Sequence, residues 1–180
     1  MDEGKYLILS AGVNLDLENT LLSGQAHRWK IVDGWYEGVI FQNLIYIRNT
    51  KLGPEFYCTP ISEGEFTNIL LDYLGLEDDL DLIYESISKD AHISSAINKY
   101  RGMRILRQDP WECLIAFICS ANSSIIRISA TMEALSENFG QPITFNKNVR
   151  YSFPSPHVLA EAGESTLREL KLGFRAKYVA

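Results

Sequence analysis

Residues 117–129 read FICSANSSIIRIS. An apolar run is broken by Ser120, Asn122, Ser123 and Ser124, and the apolar pattern resumes around Arg127. Asn122 offers both a donor and an acceptor. Arg127 falls in the first turn of a helix that Ser123 or Ser124 can cap. A cation there faces the positive end of the helix dipole, at a local cost of ~0.3–1 kcal/mol. Helix N-termini with free N–H groups prefer anions. Together these groups form a site suited to a phosphate, a carbonyl or the edge of a base. The plainer alternative is a turn asparagine bonded to backbone beside an arginine whose position costs little.

The elements that must position these residues divide the chain. WYEGVIF (35–41) and LIYIRN (44–49) are aromatic and β-branched, which predicts a hairpin turning at Gln42–Asn43. EFYCT (55–59) predicts a third strand, and TLLSGQAHRWKI (20–31) places a glycine turn before another. ISEGEFTNILLDYLGL (61–76) turns helical, with Phe66, Ile69, Leu70 and Tyr73 at spacings of three and four. DDLDLIYESIS (78–88) gives a short helix with an acidic first turn. The fold class is α+β: an antiparallel sheet domain with flanking helices over 1–90, then an incomplete all-α domain over 91–180.

From about residue 90 the pattern predicts helices throughout. Asp109 caps the next helix, Pro110 takes its first position, and Glu112 stands where a capping-box acid belongs. Leu114 to Cys119 lack a polar face, which predicts a central helix buried all round. Ile125, Ile128, Met132, Leu135 and Phe139 mark the inner stripe of the helix after the polar break, and Gly140 its end. QPITFNKNVRYSFPSP (141–156) is expected to be a loop, followed by helical pieces near 156–162 and 165–171. The chain stops at FRAKYVA, a turn into a further amphipathic helix, and is expected to be a piece of something longer.

Bulk properties narrow the function classes. The chain has 180 residues and a net charge of -6. The charge is uneven: residues 1–98 carry 6 Lys/Arg and 16 Asp/Glu, residues 99–180 carry 11 and 7. A polyanion would therefore meet the second half, unless the asymmetry belongs only to solvated surfaces. No apolar run reaches the ~20 residues of a membrane helix. The start, MDEGKYLILSAG, is acidic where a signal peptide is basic, so a cytoplasmic protein is expected, nuclear in a eukaryote. Cys58, Cys113 and Cys119 have neither disulfide nor zinc spacing, and no metal or cofactor is expected.

Three ordered motifs carry a family resemblance. RILRQDPWECLIAFICSANSSIIRI (104–128) resembles the helical core of the 8-oxoguanine DNA glycosylases, members of the superfamily with a helix-hairpin-helix and a later aspartate. SGQAHRW (23–29) resembles their N-terminal signature, with Ala26-His27 replacing a small-plus-aromatic pair. LKLGFRAKYV (170–179) resembles a later signature, with Phe174 where tyrosine is usual, and FPSPHVLA (153–160) fits the linker. The resemblance implies damaged double-stranded DNA as partner. Gly24 would detect the N7 hydrogen of oxidised guanine through its carbonyl, a task that needs close backbone approach. Phe117 would line the damaged-base pocket, or else belong to the core. Asn122, Arg127 and Arg175 would contact the cytosine left behind when its partner is flipped out. Phe174 would be the aromatic wedge in the opened stack, against the plainer role of a core aromatic. Lys99, Arg101, Arg104 and Arg107 could touch phosphate or form a solvated face.

The family's chemistry also needs a lysine that attacks the sugar C1′ and an aspartate that assists. No LPGVGxK hairpin stands in these 180 residues, and Lys177 belongs instead to the FRAKY motif. The chain alone is thus expected to be inactive in excision. Three further readings remain open at this level: a non-catalytic damaged-DNA or partner-binding module, a relative of the alkyl-base glycosylases, and a structural protein with no nucleic-acid role.

Overall fold

The computed structural model describes residues 7–9, 13–145 and 147–180, so most of the MDEGKYLILSAG stretch lies outside the described residues. Five strands form one antiparallel sheet: β1 (Leu7–Ile8), β2 (Lys30–Val32), β3 (Trp35–Ile40), β4 (Asn43–Thr50) and β5 (Gly53–Thr59). Their spatial order is β1-β5-β4-β3-β2. In β4 both faces of the alternating pattern are apolar because both are covered. Ile45 and Ile47 point with Phe56 and Cys58 into a core completed by Leu17 and Leu21 of α1 (Leu17–Leu21) and by Phe66 and Leu70 of α2 (Glu63–Tyr73). Leu44 and Tyr46 point the other way, with Trp35 and Val39. The β3–β4 turn differs by one residue from the sequence expectation. Ile40 pairs with Asn43, so Phe41–Gln42 make the turn, and Phe41 takes φ 54°.

The second face of the sheet holds the main correction to the expected architecture. The expected loop 141–156 contains β6 (Pro142–Phe145) and β7 (Asn148–Tyr151), an antiparallel hairpin. Ile143 and Phe145 alternate outward from it onto Leu44, Tyr46 and Tyr57. Phe145 lies 4.9 Å from the Tyr57 ring, and Tyr46 stacks on Tyr57 at 4.6 Å. The hairpin has only four residues per strand, so the aromatic face of the larger sheet, rather than local propensity, stabilises it.

The other helices are α3 (Leu80–Ile87), α4 (Ala91–Lys99), α5 (Pro110–Ser120), α6 (Ile125–Phe139), α7 (Pro156–Glu169) and α8 (Ala176–Val179), with a 3-10 turn over Gly173–Arg175. Gly163, at φ 72°, kinks α7 into the two pieces expected. A second core joins Ile115 and Cys119 of α5, Ile128, Met132 and Leu135 of α6, and Leu159, Leu167 and Ala176. Helix α5 is not buried all round: Leu114 is 49% and Phe117 76% exposed. Its buried side packs on α6 and α8. Ile125 likewise leaves the expected inner stripe and is exposed. Asp109 caps α5, accepting from the Trp111 and Glu112 N–H groups at 2.8 and 3.0 Å. Glu112 forms no capping box; its carboxylate turns toward Arg28, 3.7 Å away.

Candidate nucleic-acid interface

Helices α5 and α6 meet at the turn Ala121–Ser124. Asn122 occupies it at φ 51°, a left-handed conformation that asparagine tolerates better than most residues. Ser124 is the N-cap of α6 and accepts from the Arg127 N–H at 3.4 Å. Arg175 reaches the turn from the 3-10 segment. Its Nε donates to the Ala121 carbonyl at 3.0 Å, Nη2 donates to the carbonyls of Ala121 and Asn122, and Nη1 donates to Leu172. The Phe174 ring lies over the same guanidinium, 4.6 Å away, and is 49% exposed. Arg127 and Arg175 then line one cleft of about 400 Å³ with Ser123, Thr131 and Lys171. Asn122, Arg127, Phe174 and Arg175 are thus brought together from segments some fifty residues apart in the chain.

The arginines show which cation is available. Arg28, Arg48, Arg101, Arg104, Arg107, Arg150, Arg168 and Arg175 each bind a protein carboxylate or carbonyl through the side chain. Among the described residues Arg127 alone does not, and it is exposed. The expected phosphate-facing series is mostly engaged elsewhere. Arg104 is buried and donates to the carbonyls of Asn14, Gly75 and Asp78. Arg107 pairs with Asp72 and Asp78, and Arg101 with Asp81. Lys99 lies 5.1 Å from the Tyr100 ring. The acidic first half supplies these carboxylates.

Gly24 approaches the same region from the sheet side. Its φ is 89°, and a Cβ there would stand 2.9 Å from Cδ1 of Ile125, at the first turn of α6. The glycine therefore permits a close approach of backbone to helix. Phe117 stands exposed on α5 and does not line the Arg127 cleft. Lys177 is exposed, 4.7 Å from the ring of Tyr178.

Sequence reasoning missed the polar framework that fixes these pieces. Gln25 donates to the Arg104 carbonyl and accepts from the Leu106 N–H, both at 2.9 Å. The Gln25 carbonyl accepts from Gln108 at 2.6 Å. Trp29 donates to the Tyr73 hydroxyl at 3.0 Å, and the absence of a side chain at Gly38 makes room for its ring. Arg28 donates to Glu133 at 3.2 Å and to the Tyr151 carbonyl. Arg150 pairs with Glu37 at 2.5 Å and with Glu133 at 2.8 Å. Burial raises the Glu37 pKa, but hydrogen bonds from Lys30, Arg150 and Tyr46 outweigh it and hold the carboxyl below its usual range. Burial lifts Glu112 to about 7, although Arg28 pulls the other way. The available signal was a charge inside an apolar strand, Glu37 in WYEGVI and Arg150 in NVRY, because such charges must find partners.

A sheet domain whose N-terminal signature is fastened to a helical core defines the class to which comparison with known proteins leads. Residues 7–114 match the family model for the 8-oxoguanine DNA glycosylase N-terminal domain. The chain belongs to the 8-oxoguanine DNA glycosylase family. It is 34% identical over 174 residues to the N-glycosylase/DNA lyase OGG1 of Arabidopsis thaliana, covering 92% of this chain and 47% of that protein. The apo-form 8-oxoguanine glycosylase/lyase of Clostridium acetobutylicum superposes with a TM-score of 0.91 at 31% identity, over 98% of this chain and 62% of that one. The same enzyme in complex with dsDNA containing cytosine opposite 8-oxoG superposes at 0.87. A 3-methyladenine DNA-glycosylase from Archaeoglobus fulgidus shares the fold, at 17% identity and a TM-score of 0.75. The chain spans about half the length of the Arabidopsis relative. Among the described residues no helix is long and apolar enough to cross a membrane.

Proposed function

We propose that the chain is the N-terminal part of an 8-oxoguanine DNA glycosylase and abasic-site lyase acting in base excision repair. In this reading residues 1–90 are its sheet domain and 91–180 the first part of its helical domain. The partner is damaged double-stranded DNA carrying oxidised guanine opposite cytosine, met in the cytoplasm or, in a eukaryote, the nucleus. The observation that carries the reading is the unengaged Arg127 guanidinium beside Arg175 and the Asn122 turn, an arrangement of donors fit for a pyrimidine edge. Gly24 brings its backbone close to the same helix start, and in this reading its carbonyl reads the N7–H of the oxidised base. Phe174 is the exposed ring placed to fill the opened stack.

In this reading the nucleophile for C1′ is not among these 180 residues. The 180-residue chain is therefore expected to give no covalent adduct with an 8-oxoguanine:cytosine duplex under borohydride, whereas a chain carrying the hairpin lysine gives one. An adduct with the 180 residues alone refutes the assignment of catalysis elsewhere. Duplex binding should weaken steeply with added salt. It should also favour cytosine over adenine opposite a non-cleavable abasic site, and equal affinity for the two would refute the reading of the interface.

A further inference from the structure

Gln25 stands out because its side chain takes the place of a backbone. Between α4 and α5 the chain runs through residues 103–109 with no regular structure, so its peptide groups need partners from elsewhere. The Gln25 amide supplies two of them. Its Nε2 donates to the Arg104 carbonyl and its Oε1 accepts from the Leu106 N–H, both at 2.9 Å. These groups flank Ile105, as they would for a peptide of a neighbouring strand. Nε2 also donates to the Thr20 carbonyl at 2.9 Å, with the Ser23 hydroxyl further off at 3.5 Å. The Gln25 carbonyl accepts from the Gln108 side chain at 2.6 Å. The segment that Gln25 grips is itself held. The Arg104 N–H donates to the Thr20 hydroxyl at 3.1 Å, and the Arg107 N–H to the Tyr73 carbonyl at 2.9 Å.

Gly24 and Gln25 share one planar peptide, so the Gly24 carbonyl turns with the Gln25 N–H. Gly24 does little to aim it, because glycine has the widest choice of backbone angles. The residues before it, Leu22 and Ser23, are exposed. The restraint therefore comes from the Gln25 side. Among the described residues the Gly24 carbonyl accepts no hydrogen bond, while the Gln25 carbonyl does. The first is left for a ligand, and the second belongs to the frame. A hydrogen bond to that carbonyl depends on distance and angle, so a rotation of this one peptide weakens it.

We propose that Gln25 is a positioning residue: by joining the Gly24 peptide to the 104–108 segment it aims the carbonyl that reads the oxidised base. This rests on the reading of Gly24 given under Proposed function. Gln25 itself touches no part of the base. A plain tie between the sheet domain and this segment would affect folding alone.

The test compares two reactions of the full-length protein: excision of 8-oxoguanine opposite cytosine, and strand cleavage at a preformed abasic site opposite cytosine. Only the first has a base for the carbonyl to read. Gln25→Glu keeps the shape of the side chain and removes both donors. It should lower kcat/KM for excision relative to abasic-site cleavage by about tenfold, the size of one hydrogen bond. Loss of folded protein lowers both reactions equally, and an unchanged ratio overturns the proposal. Gly24→Ala should lower the same ratio. The double variant should fall by less than the product of the two effects, because both act on one contact. Effects that multiply in full overturn the proposal. A measurement without variants serves if Gln25→Glu does not fold. The Gln25 side-chain N–H resonances should be protected from solvent exchange, and should stay unshifted when a non-cleavable 8-oxoguanine duplex binds, while the Gly24 carbonyl carbon shifts. Free exchange of those N–H groups overturns the proposal. An equal Gly24 shift with 8-oxoguanine and abasic duplexes overturns the reading of Gly24 on which it rests.

Discussion

The GQAHRW loop and the Asn122–Arg127 turn use the same residue types to opposite ends. In the loop, Gln25, Arg28 and Trp29 all turn inward and find protein partners on the segment between α4 and α5, on α6 and on α2. In the turn, Arg175 alone faces inward, and Arg127 is left exposed with no side-chain partner among the described residues. A polar residue enclosed by partners fixes geometry, because removing its mate leaves a buried group unsatisfied. A polar residue without partners in a cleft is available to a ligand. Motif matching alone does not make this distinction, since both segments are family signatures.

The largest test of that contrast is on the fastened side. Arg150→Ala removes the closest partner of Glu37, which is fully buried. Breaking one half of a buried pair costs about 3–5 kcal/mol. Chemical denaturation should show a loss of that order; Lys30, half exposed at 3.0 Å, is the only other cation bridged to Glu37 among the described residues. A loss below about 0.5 kcal/mol would place this network among ordinary surface contacts.

Arg127→Ala should show the reverse pattern. Its stability should stay within about 0.5 kcal/mol of the parent. Its preference for cytosine over adenine opposite the lesion should fall by about 1–3 kcal/mol, read by competition binding. A uniform loss across opposite bases would instead assign Arg127 to phosphate.

Gly24→Ala lies between the two regions. The added methyl meets only the movable end of Ile125, so the clash is small. The backbone angle matters more: at φ 89° a side chain costs about 1–2 kcal/mol. A drop of that size in unfolding free energy is expected, with weaker discrimination between 8-oxoguanine and guanine in the full-length protein.

The last test is a pH slope. Glu112 titrates at about 7 when folded, raised by burial from the ordinary 4.5. Between those values the folded protein retains a proton that the unfolded chain has lost. The stability from Glu112 is therefore complete below about 4.5 and is lost as pH rises through about 7. Glu112→Gln should flatten that part of the profile, measured as urea midpoints from pH 4.5 to 8. An unchanged slope would remove Glu112 from the set of buried titrating groups.

Much of the local structure was legible in the chain. Strands β3 to β5, helix α2 and the Asp109-Pro110 start of α5 followed from alternation, spacing and capping chemistry, because those signals act within a few residues. The β6–β7 hairpin was not legible, because its stability comes from Tyr46 and Tyr57, about a hundred residues earlier. The turn at Phe41–Gln42 was displaced by one residue because cross-strand register, not the turn sequence, set it. For the interface, the residue types and their order pointed to Asn122, Arg127, Phe174 and Arg175. Their division of labour did not appear in the order.

The sequence by itself determined the Asp109-Pro110 helix start, most of the inner stripe of α6 and the family, since these rest on neighbouring residues and ordered motifs. Only the tertiary structure decided which arginines are engaged and which one is available. A guanidinium has the same charge and five donors wherever it stands. What differs is whether the fold brings carbonyls to it, as it does for Arg175 and not for Arg127.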